Sequence, residues 1–255
     1  MSSYVKYMES SGARVVPIVY GESKETTLDK LSKLDGILFP GGDGDDYDIG
    51  QFVFEELKKY NDAGHFYPAW GTCLGYENMI AYTTPAGLDS WGSFDLHKVS
   101  LPLIFDKAPK DTRMYEGLGD KAHEFATNNF TYNSHRFGIA PETFKTDESL
   151  KAFWDVTAHS LMPNGTAFVA SIESKEYPFF GTQYHPEKPA ELWIDGMNIN
   201  HEWESIQDQK HFADLLVAMS RANPNSFGDF DEVQEFEISN HPVIQTEGYA
   251  DVYVF

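Results

Sequence analysis

The sequence predicts an α/β fold: a mostly parallel, doubly wound sheet flanked by helices, with a short antiparallel section in the middle of the chain. Three observations lead there. Up to Glu77, helical and strand-like stretches alternate, and such an order gives right-handed crossovers, a parallel sheet and helices on its faces. Gly41-Gly42 and Cys73 each follow an apolar run, at the carboxyl ends of strands, where such sheets place their sites. From about Asp95 to Ser174 the runs shorten, and turn signals such as Pro163-Asn164-Gly165 separate them, which favours antiparallel pairing.

The elements follow in order. Tyr4, Tyr7, Met8 and Ser11 share one helical face over residues 2–11, and Gly12 ends that helix. Arg14-Val15-Val16-Pro17-Ile18-Val19 reads as a buried strand with proline near its edge. A polar helix around Thr27–Lys33 leads to a strand at Gly36-Ile37-Leu38-Phe39-Pro40. Ile49, Phe52, Val53, Leu57 and Tyr60 keep the 3.6-residue spacing of a third helix, and the apolar run before Cys73 is the next strand. Strands are expected at Val99–Ile104, Phe130–Tyr132, Ala167–Ile172 and Tyr177–Gln183, and a last helix spans roughly Glu204–Ala222. Past Pro224 the chain is acidic and expected to be loose until a strand-like end at Tyr253-Val254-Phe255. Residues 1–223 are therefore read as the main domain, and 224–255 as an acidic extension whose final strand packs on it.

A chain of 255 residues with 41% hydrophobic and 15% aromatic residues can bury a sizeable core. Its net charge of −21, from 40 acidic and 19 basic residues, argues against nucleic acid and anionic membrane surfaces, which require a basic face. No apolar run reaches the roughly 18 residues of a membrane span, and the N-terminus lacks the apolar core of a signal peptide.

The chemistry centres on Phe66-Tyr67-Pro68-Ala69-Trp70-Gly71-Thr72-Cys73-Leu74-Gly75-Tyr76-Glu77, where a short apolar run meets Gly-x-Cys-x-Gly and then a helix. A nucleophile on such a strained corner needs neighbours without side chains two residues before and after it. Cys73 is the only cysteine, so it forms neither an internal disulfide nor a Cys-based zinc site. The alternative is a small buried hydrophobe. At the first turn of a helix, backbone N–H groups and the helix dipole are expected to lower the thiol pKa.

A cysteine nucleophile needs a base, and the base needs an acceptor that fixes its tautomer. His185-Pro186-Glu187 follows a predicted buried strand, as Cys73 does, and Pro186 can bend the chain so that both side chains face the thiol. The N–H groups of Gly42 and Leu74 are candidates for the oxyanion hole. A plain strand-end turn explains Gly41-Gly42 equally well.

Together, Phe39-Pro40-Gly41-Gly42, Gly71-Thr72-Cys73-Leu74-Gly75 and Tyr184-His185-Pro186-Glu187 resemble the class I glutamine amidotransferase superfamily, whose fold is flavodoxin-like. The match is closest to the gamma-glutamyl hydrolase family, which removes γ-linked glutamates from folate polyglutamates. Tyr4–Ser10, Gly12–Pro17, Trp70–Glu77, Gln183–Lys188, His241–Ile244 and Tyr253–Phe255 all resemble segments of that family. The resemblance implies Cys73 as nucleophile, His185 as base and then acid, Glu187 as orienting acceptor, and Gly42 and Leu74 as oxyanion donors. Gly41, Glu77, His135 and Arg136 would contact substrate. His135, in Asn133-Ser134-His135-Arg136, matches the segment that brings the family's second histidine to substrate. Taken alone, it reads as a surface histidine beside a strand. The resemblance further implies a folate polyglutamate or γ-glutamyl peptide substrate, no cofactor or metal, a homodimer, and a lysosomal, vacuolar or extracellular setting.

Glu77 points to the hydrolase branch, because synthase-coupled glutaminases usually carry Gln four residues after the nucleophile. A glutaminase subunit that delivers ammonia to a partner synthase is the alternative reading. A third is an impaired structural or binding homologue, because relatives place a glycine-containing strand ahead of the first helix and this chain starts on the helix. Without that strand, buried ladder groups of its neighbours would stand unpaired, at about 1–3 kcal/mol each. Asp43–Asp48 lacks the glycine and glutamate of a calcium loop, and His201-Glu202 lacks the second histidine of a metalloprotease. Asn129 and Asn164 begin glycosylation sequons of the kind that arise by chance.

Overall fold

A computed structural model of the protein describes residues 1–44, 47–246 and 250–255. Asp45 and Asp46, within the Asp43–Asp48 stretch, lie outside the described residues. Helix α1 (Ser2–Glu9) buries Tyr4, Val5, Tyr7 and Met8, and Gly12 follows in the left-handed region at φ +90°. Helix α2 (Lys24–Leu31) starts where the Ser23 hydroxyl accepts the Thr26 N–H at 3.1 Å, a side-chain cap on an otherwise unpaired donor. Strand β1 (Ile37–Phe39), helix α3 (Tyr47–Asp62), strand β2 (Ala69–Thr72) and helix α4 (Leu74–Ala81) come next.

The middle of the chain holds β3 (Gly92–Leu101), β4 (Ile104–Phe105), α5 (Ala122–Thr127), β5 (Thr131–Gly138), α6 (Pro141–Thr146), α7 (Glu148–Phe153), β6 (Trp154–Leu161) and β7 (Ala167–Ser174). Then come β8 (Phe179–Thr182), α8 (Lys188–Glu191), α9 (Trp203–Ser220), α10 (Phe230–Phe236), β9 (Val243–Thr246) and β10 (Ala250–Tyr253).

The main sheet runs β1-β2-β8-β7-β6-β4. It is mixed rather than mostly parallel: β1–β2 and β2–β8 are parallel, while β8–β7, β7–β6 and β6–β4 are antiparallel. Short connections, including the Pro163-Asn164-Gly165 turn, join β6 to β7 and β7 to β8, and a short link can only reverse direction. Strands β3 and β5 pair antiparallel as a separate ribbon.

Alternate residues of the central strands feed two cores, so both faces of the sheet are covered. Trp70 and Phe180 pack with Phe212 of α9, and Phe179 packs with Phe54 of α3 at 5.3 Å between ring centroids. Strand β6 escapes the sequence pattern because Thr157 and Ser160 occupy buried positions. Their hydroxyls are satisfied by Ser171 Oγ at 2.6 Å and Pro102 O at 3.0 Å.

Two expectations change. The run Arg14–Val19 forms no strand. Its apolar residues are only half-buried, and β1, the strand nearest to it along the chain, ends the sheet without pairing to it. The acidic extension is more ordered than a loose tail: α10 forms, capped by Asp229 on the Glu232 N–H at 3.0 Å, and β9 and β10 pair antiparallel. The last strand ends at Tyr253, and Lys6 pairs with Asp251 at 3.0 Å.

The tightest contact in this framework lies where α4 meets β1. A Cβ on Gly75 would stand 2.1 Å from the Phe39 carbonyl oxygen, and one on Gly42 would meet nothing nearer than 3.9 Å. Gly75→Ala is therefore expected to lose about 3 kcal/mol or more in urea unfolding, because backbone must move. Gly42→Ala is expected to stay within about 1 kcal/mol of the parent.

Candidate active site

Cys73 sits between the end of β2 and the first turn of α4, with φ 53° and ψ −113°. For a residue with a Cβ, such a conformation costs about 1–3 kcal/mol, and its surroundings hold it in place. The Cys73 N–H donates to Thr182 O at 2.8 Å, and the Cys73 carbonyl accepts the Glu77 N–H at 2.9 Å. Gly71 is crowded as Gly75 is: a Cβ there would lie 2.6 Å from Met79 Sδ. Both glycines of the motif are thus required by space, as the sequence pattern implied.

Strand β8 ends beside β2 and carries the chain on to His185, whose N–H donates to Tyr132 O at 2.9 Å. His185 Nδ1 lies 3.0 Å from Glu187 Oε1 and 3.2 Å from Tyr4 Oη. The fully buried Glu187 carboxylate fixes the tautomer by taking the Nδ1–H, leaving Nε2 as the basic nitrogen. Gly41 joins imidazole and thiol: a Cβ there would stand 2.9 Å from Cys73 Cβ, 3.2 Å from His185 Cε1 and 2.5 Å from Tyr4 Oη. All three side chains border one spot, and only glycine leaves it open.

Burial works against charge throughout this site. It would raise the Glu187 pKa, but His185 and the Lys188 ammonium, 3.3 Å from Oε1, bring it down to about 2. Lys188 is itself buried and reaches Ser3 Oγ at 3.1 Å, tying α1 to the site. For Cys73 burial wins. The thiol is pushed well above its ordinary value, with the nearby Glu77 adding to the effect and the Leu74 N–H opposing it. The first turn of α4 does supply the stabilising N–H that the sequence suggested, yet desolvation outweighs it. Cys73 therefore rests as a neutral thiol.

Glu77 accepts from Gln183 Nε2 at 2.7 Å, and burial lifts its carboxyl to about 7. His135, on β5, is also buried, and burial lowers its pKa to about 4. Its Nδ1 donates to Phe137 O at 2.6 Å, so the unpartnered Nε2 carries a lone pair and acts as an acceptor. Arg136 is exposed, and the alternation of β5 turns it to the opposite side from His135. The sequence analysis grouped those two residues, and the strand separates them.

Gly41 and Gly42 differ as well. The Gly41 N–H donates to Tyr4 Oη at 2.9 Å, whereas Gly42 is exposed, with nothing nearer to its Cβ position than Gly44 N at 3.9 Å. Tyr4, Lys188 and Gln183 take up positions that the sequence analysis left unassigned. A tyrosine on the inner face of the first helix and a lysine after Glu187 were legible, but nothing local tied them to a thiol more than sixty residues away. Among the described residues, no group of three or more His, Cys, Asp or Glu side chains could hold a metal ion, and no helix is long and apolar enough to cross a membrane.

Comparison with known proteins adds an independent line. The model of the family "Glutamine amidotransferase class-I" matches residues 2–193. Gamma-glutamyl hydrolase B of Dictyostelium discoideum is 32% identical over 265 residues, covering 100% of this chain and 76% of that protein. Gamma-glutamyl hydrolase 1 of Arabidopsis thaliana is 30% identical over 263 residues, covering 100% and 75%. The human gamma-glutamyl hydrolase is 29% identical over 263 residues, covering 100% and 82%.

The buried carboxyl of Glu77 yields a pH test. Its folded pKa of about 7 lies above the ordinary 4.5, so between those values the folded state holds a proton that the unfolded state releases. Stability due to this group is full below about pH 4.5 and is lost as pH rises towards 7. Glu77→Gln keeps an acceptor for Gln183 and removes that loss. Urea unfolding should find the variant equal to the parent at pH 4 and about 3 kcal/mol more stable at pH 8.

Proposed function

This chain belongs to the class-I glutamine amidotransferase family and, within it, to the gamma-glutamyl hydrolases, and we propose that it cleaves the γ-glutamyl bonds of folate polyglutamates through a glutamyl-thioester on Cys73. The observation that carries this reading is the buried Glu187–His185 pair, whose imidazole borders the same spot beside Gly41 as the Cys73 side chain on its glycine-flanked corner.

Because the thiol rests protonated, His185 Nε2 takes its proton as Sγ attacks the γ-carbonyl carbon. The imidazolium that forms is stabilised by Glu187, already ionised through its contacts with His185 and Lys188. Negative charge collects on the former carbonyl oxygen, where the N–H groups of Gly42 and Leu74 are the donors. The Gly41 N–H is engaged by Tyr4 and is not counted among them. His185 then gives its proton to the leaving amine nitrogen as the C–N bond breaks and the thioester remains. The glutamate or oligoglutamate departs as that amine, and water then attacks the thioester with His185 again as base, releasing the shortened folate glutamate as its γ-carboxylate and restoring the thiol.

His135 Nε2 is a buried acceptor and suits an N–H of the substrate rather than a carboxylate. Gly41 and Glu77 border the same thiol from the corner and from α4. Arg136 stands outside this arrangement, facing the other way.

The test is incubation with a folate polyglutamate, with product lengths followed by mass spectrometry. The parent should shorten the tail, and folded Cys73→Ala should lose at least about a thousandfold in rate. Glu187→Gln should lower kcat roughly 100- to 10,000-fold with little change in KM, since it acts on the imidazolium of the transition state. Cleavage of free glutamine as fast as a γ-diglutamyl folate, or only after a second protein is added, would favour the glutaminase reading instead.

A further inference from the structure

Two aromatic rings stand beside the site, and the mechanism above does not use them. Trp91 follows the short turn Gly87–Ser90 between α4 and β3, and its Nε1–H donates to Glu77 O at 3.0 Å. Its backbone N–H donates to Leu88 O at 3.1 Å, and its partly buried indole packs on the core that contains Tyr76 and Ile80. The ring of Phe137, on β5, lies against the indole at 5.6 Å between centroids, tilted by 40°. Strand alternation puts Phe137 on the same side of β5 as His135, whose Nδ1–H donates to the Phe137 carbonyl. The pair is thus fastened to Glu77 through the indole N–H and to His135 through the Phe137 backbone.

Phe137 keeps 47% of its surface exposed, and so does Leu88. A single exposed apolar residue carries no meaning, but here an indole, a phenyl ring and a leucine adjoin on fixed backbone next to the site. Rigid rings of this kind suit a flat apolar ligand. A folate polyglutamate offers one such part, the aminobenzoyl and pteridine rings at the head of its glutamate chain; the rest is carboxylate and amide. Reach decides where those rings fall. Glu77 lies about 6 Å of helix rise beyond Cys73, so the indole N–H stands roughly 10 Å from that residue. In the substrate, the γ-carbonyl carbon of the first glutamate lies roughly 8 Å from the aminobenzoyl ring when extended, from bonds of ~1.5 Å, and each further glutamate adds about 6 Å.

Resting on the γ-glutamyl hydrolase reading above, we propose that Trp91 and Phe137 form a shelf for the aminobenzoyl and pteridine rings, and that this contact selects the bond that is cleaved. With the rings on the shelf, the γ-bond of the first glutamate lies at Cys73, so folate monoglutamate is the acyl part and the remaining tail departs in one piece. A γ-linked chain without rings has no anchor there and is cut slowly, with no preferred bond.

The experiment compares the full chain on pteroyl-γ-pentaglutamate and on N-acetyl-γ-pentaglutamate, which keeps the tail and lacks the rings. The pteroyl substrate should have a kcat/KM at least about tenfold higher, mainly through KM, and its first products should be folate monoglutamate and intact tetraglutamate. In Phe137→Ala the ratio of the two kcat/KM values should fall at least about fivefold, and intermediate chain lengths should appear early. Trp91→Leu, confirmed folded by circular dichroism, should act in the same direction. If Phe137 merely braces β5 against α4, both substrates slow equally; that result, or single glutamates released in succession by the parent, would overturn the proposal. Turnover of neither substrate would count against the hydrolase reading instead. Titration calorimetry with folic acid then decides the shelf: the parent should bind at least about fivefold more tightly than Phe137→Ala, and equal binding would overturn it.

Discussion

The arrangement depends on one close approach, between the backbone of Gly75 and the carbonyl of Phe39. It lets α4 start directly against the end of β1, and this forces the chain between β2 and α4 through a single sharp residue. That residue is Cys73, held at positive φ by its own N–H bond to β8 and by the helix that begins after it. Since β8 supplies that bond and then leads into His185, one strand end fixes both Cys73 and His185. Gly41 completes the junction from β1, so three adjacent parallel strands converge on one spot. Cys73, His185 and Gly41 all follow strands of this parallel part of the sheet.

The electrostatics follow from the same closeness. A site this buried penalises every charge, so a group is ionised only where a partner outweighs desolvation. Glu187 has two such partners, whereas for Cys73 the Leu74 N–H and the Lys188 charge do not outweigh burial and the fields of Glu77 and Glu187. The result is an ionised carboxylate beside a thiol held neutral. Glu77 and His135 are likewise pushed towards their neutral forms. A substrate entering here meets acceptors and backbone donors more than fixed charges.

The sheet's edge shows the opposite regime. Where β2 and β8 have neighbours on both sides, their residues are fully buried and every strand forms. Where β1 has, among the described residues, a strand neighbour on one side only, a strongly apolar run nearby stays irregular and half-exposed. The difference is cooperative, since a strand forms when another strand meets its backbone groups and composition alone does not supply one.

The sequence by itself determined the local geometry. The glycines around Cys73, the helices before and after each parallel strand, and the His185-Pro186-Glu187 segment could be read because their causes lie within a few residues: steric room, 3.6-residue spacing, a bend at proline. Tertiary structure decided whatever depends on neighbours distant along the chain. It made the sheet mixed, left Arg14–Val19 without a ladder, and made a strand of Trp154–Leu161 by giving buried hydroxyls partners on other segments. It also split His135 from Arg136 and brought Tyr4 and Lys188 to the imidazole and its carboxylate. Above all it reversed the expected shift of the thiol. A helix terminus is visible in sequence, but the depth at which it is buried is set only when the chain has closed over it.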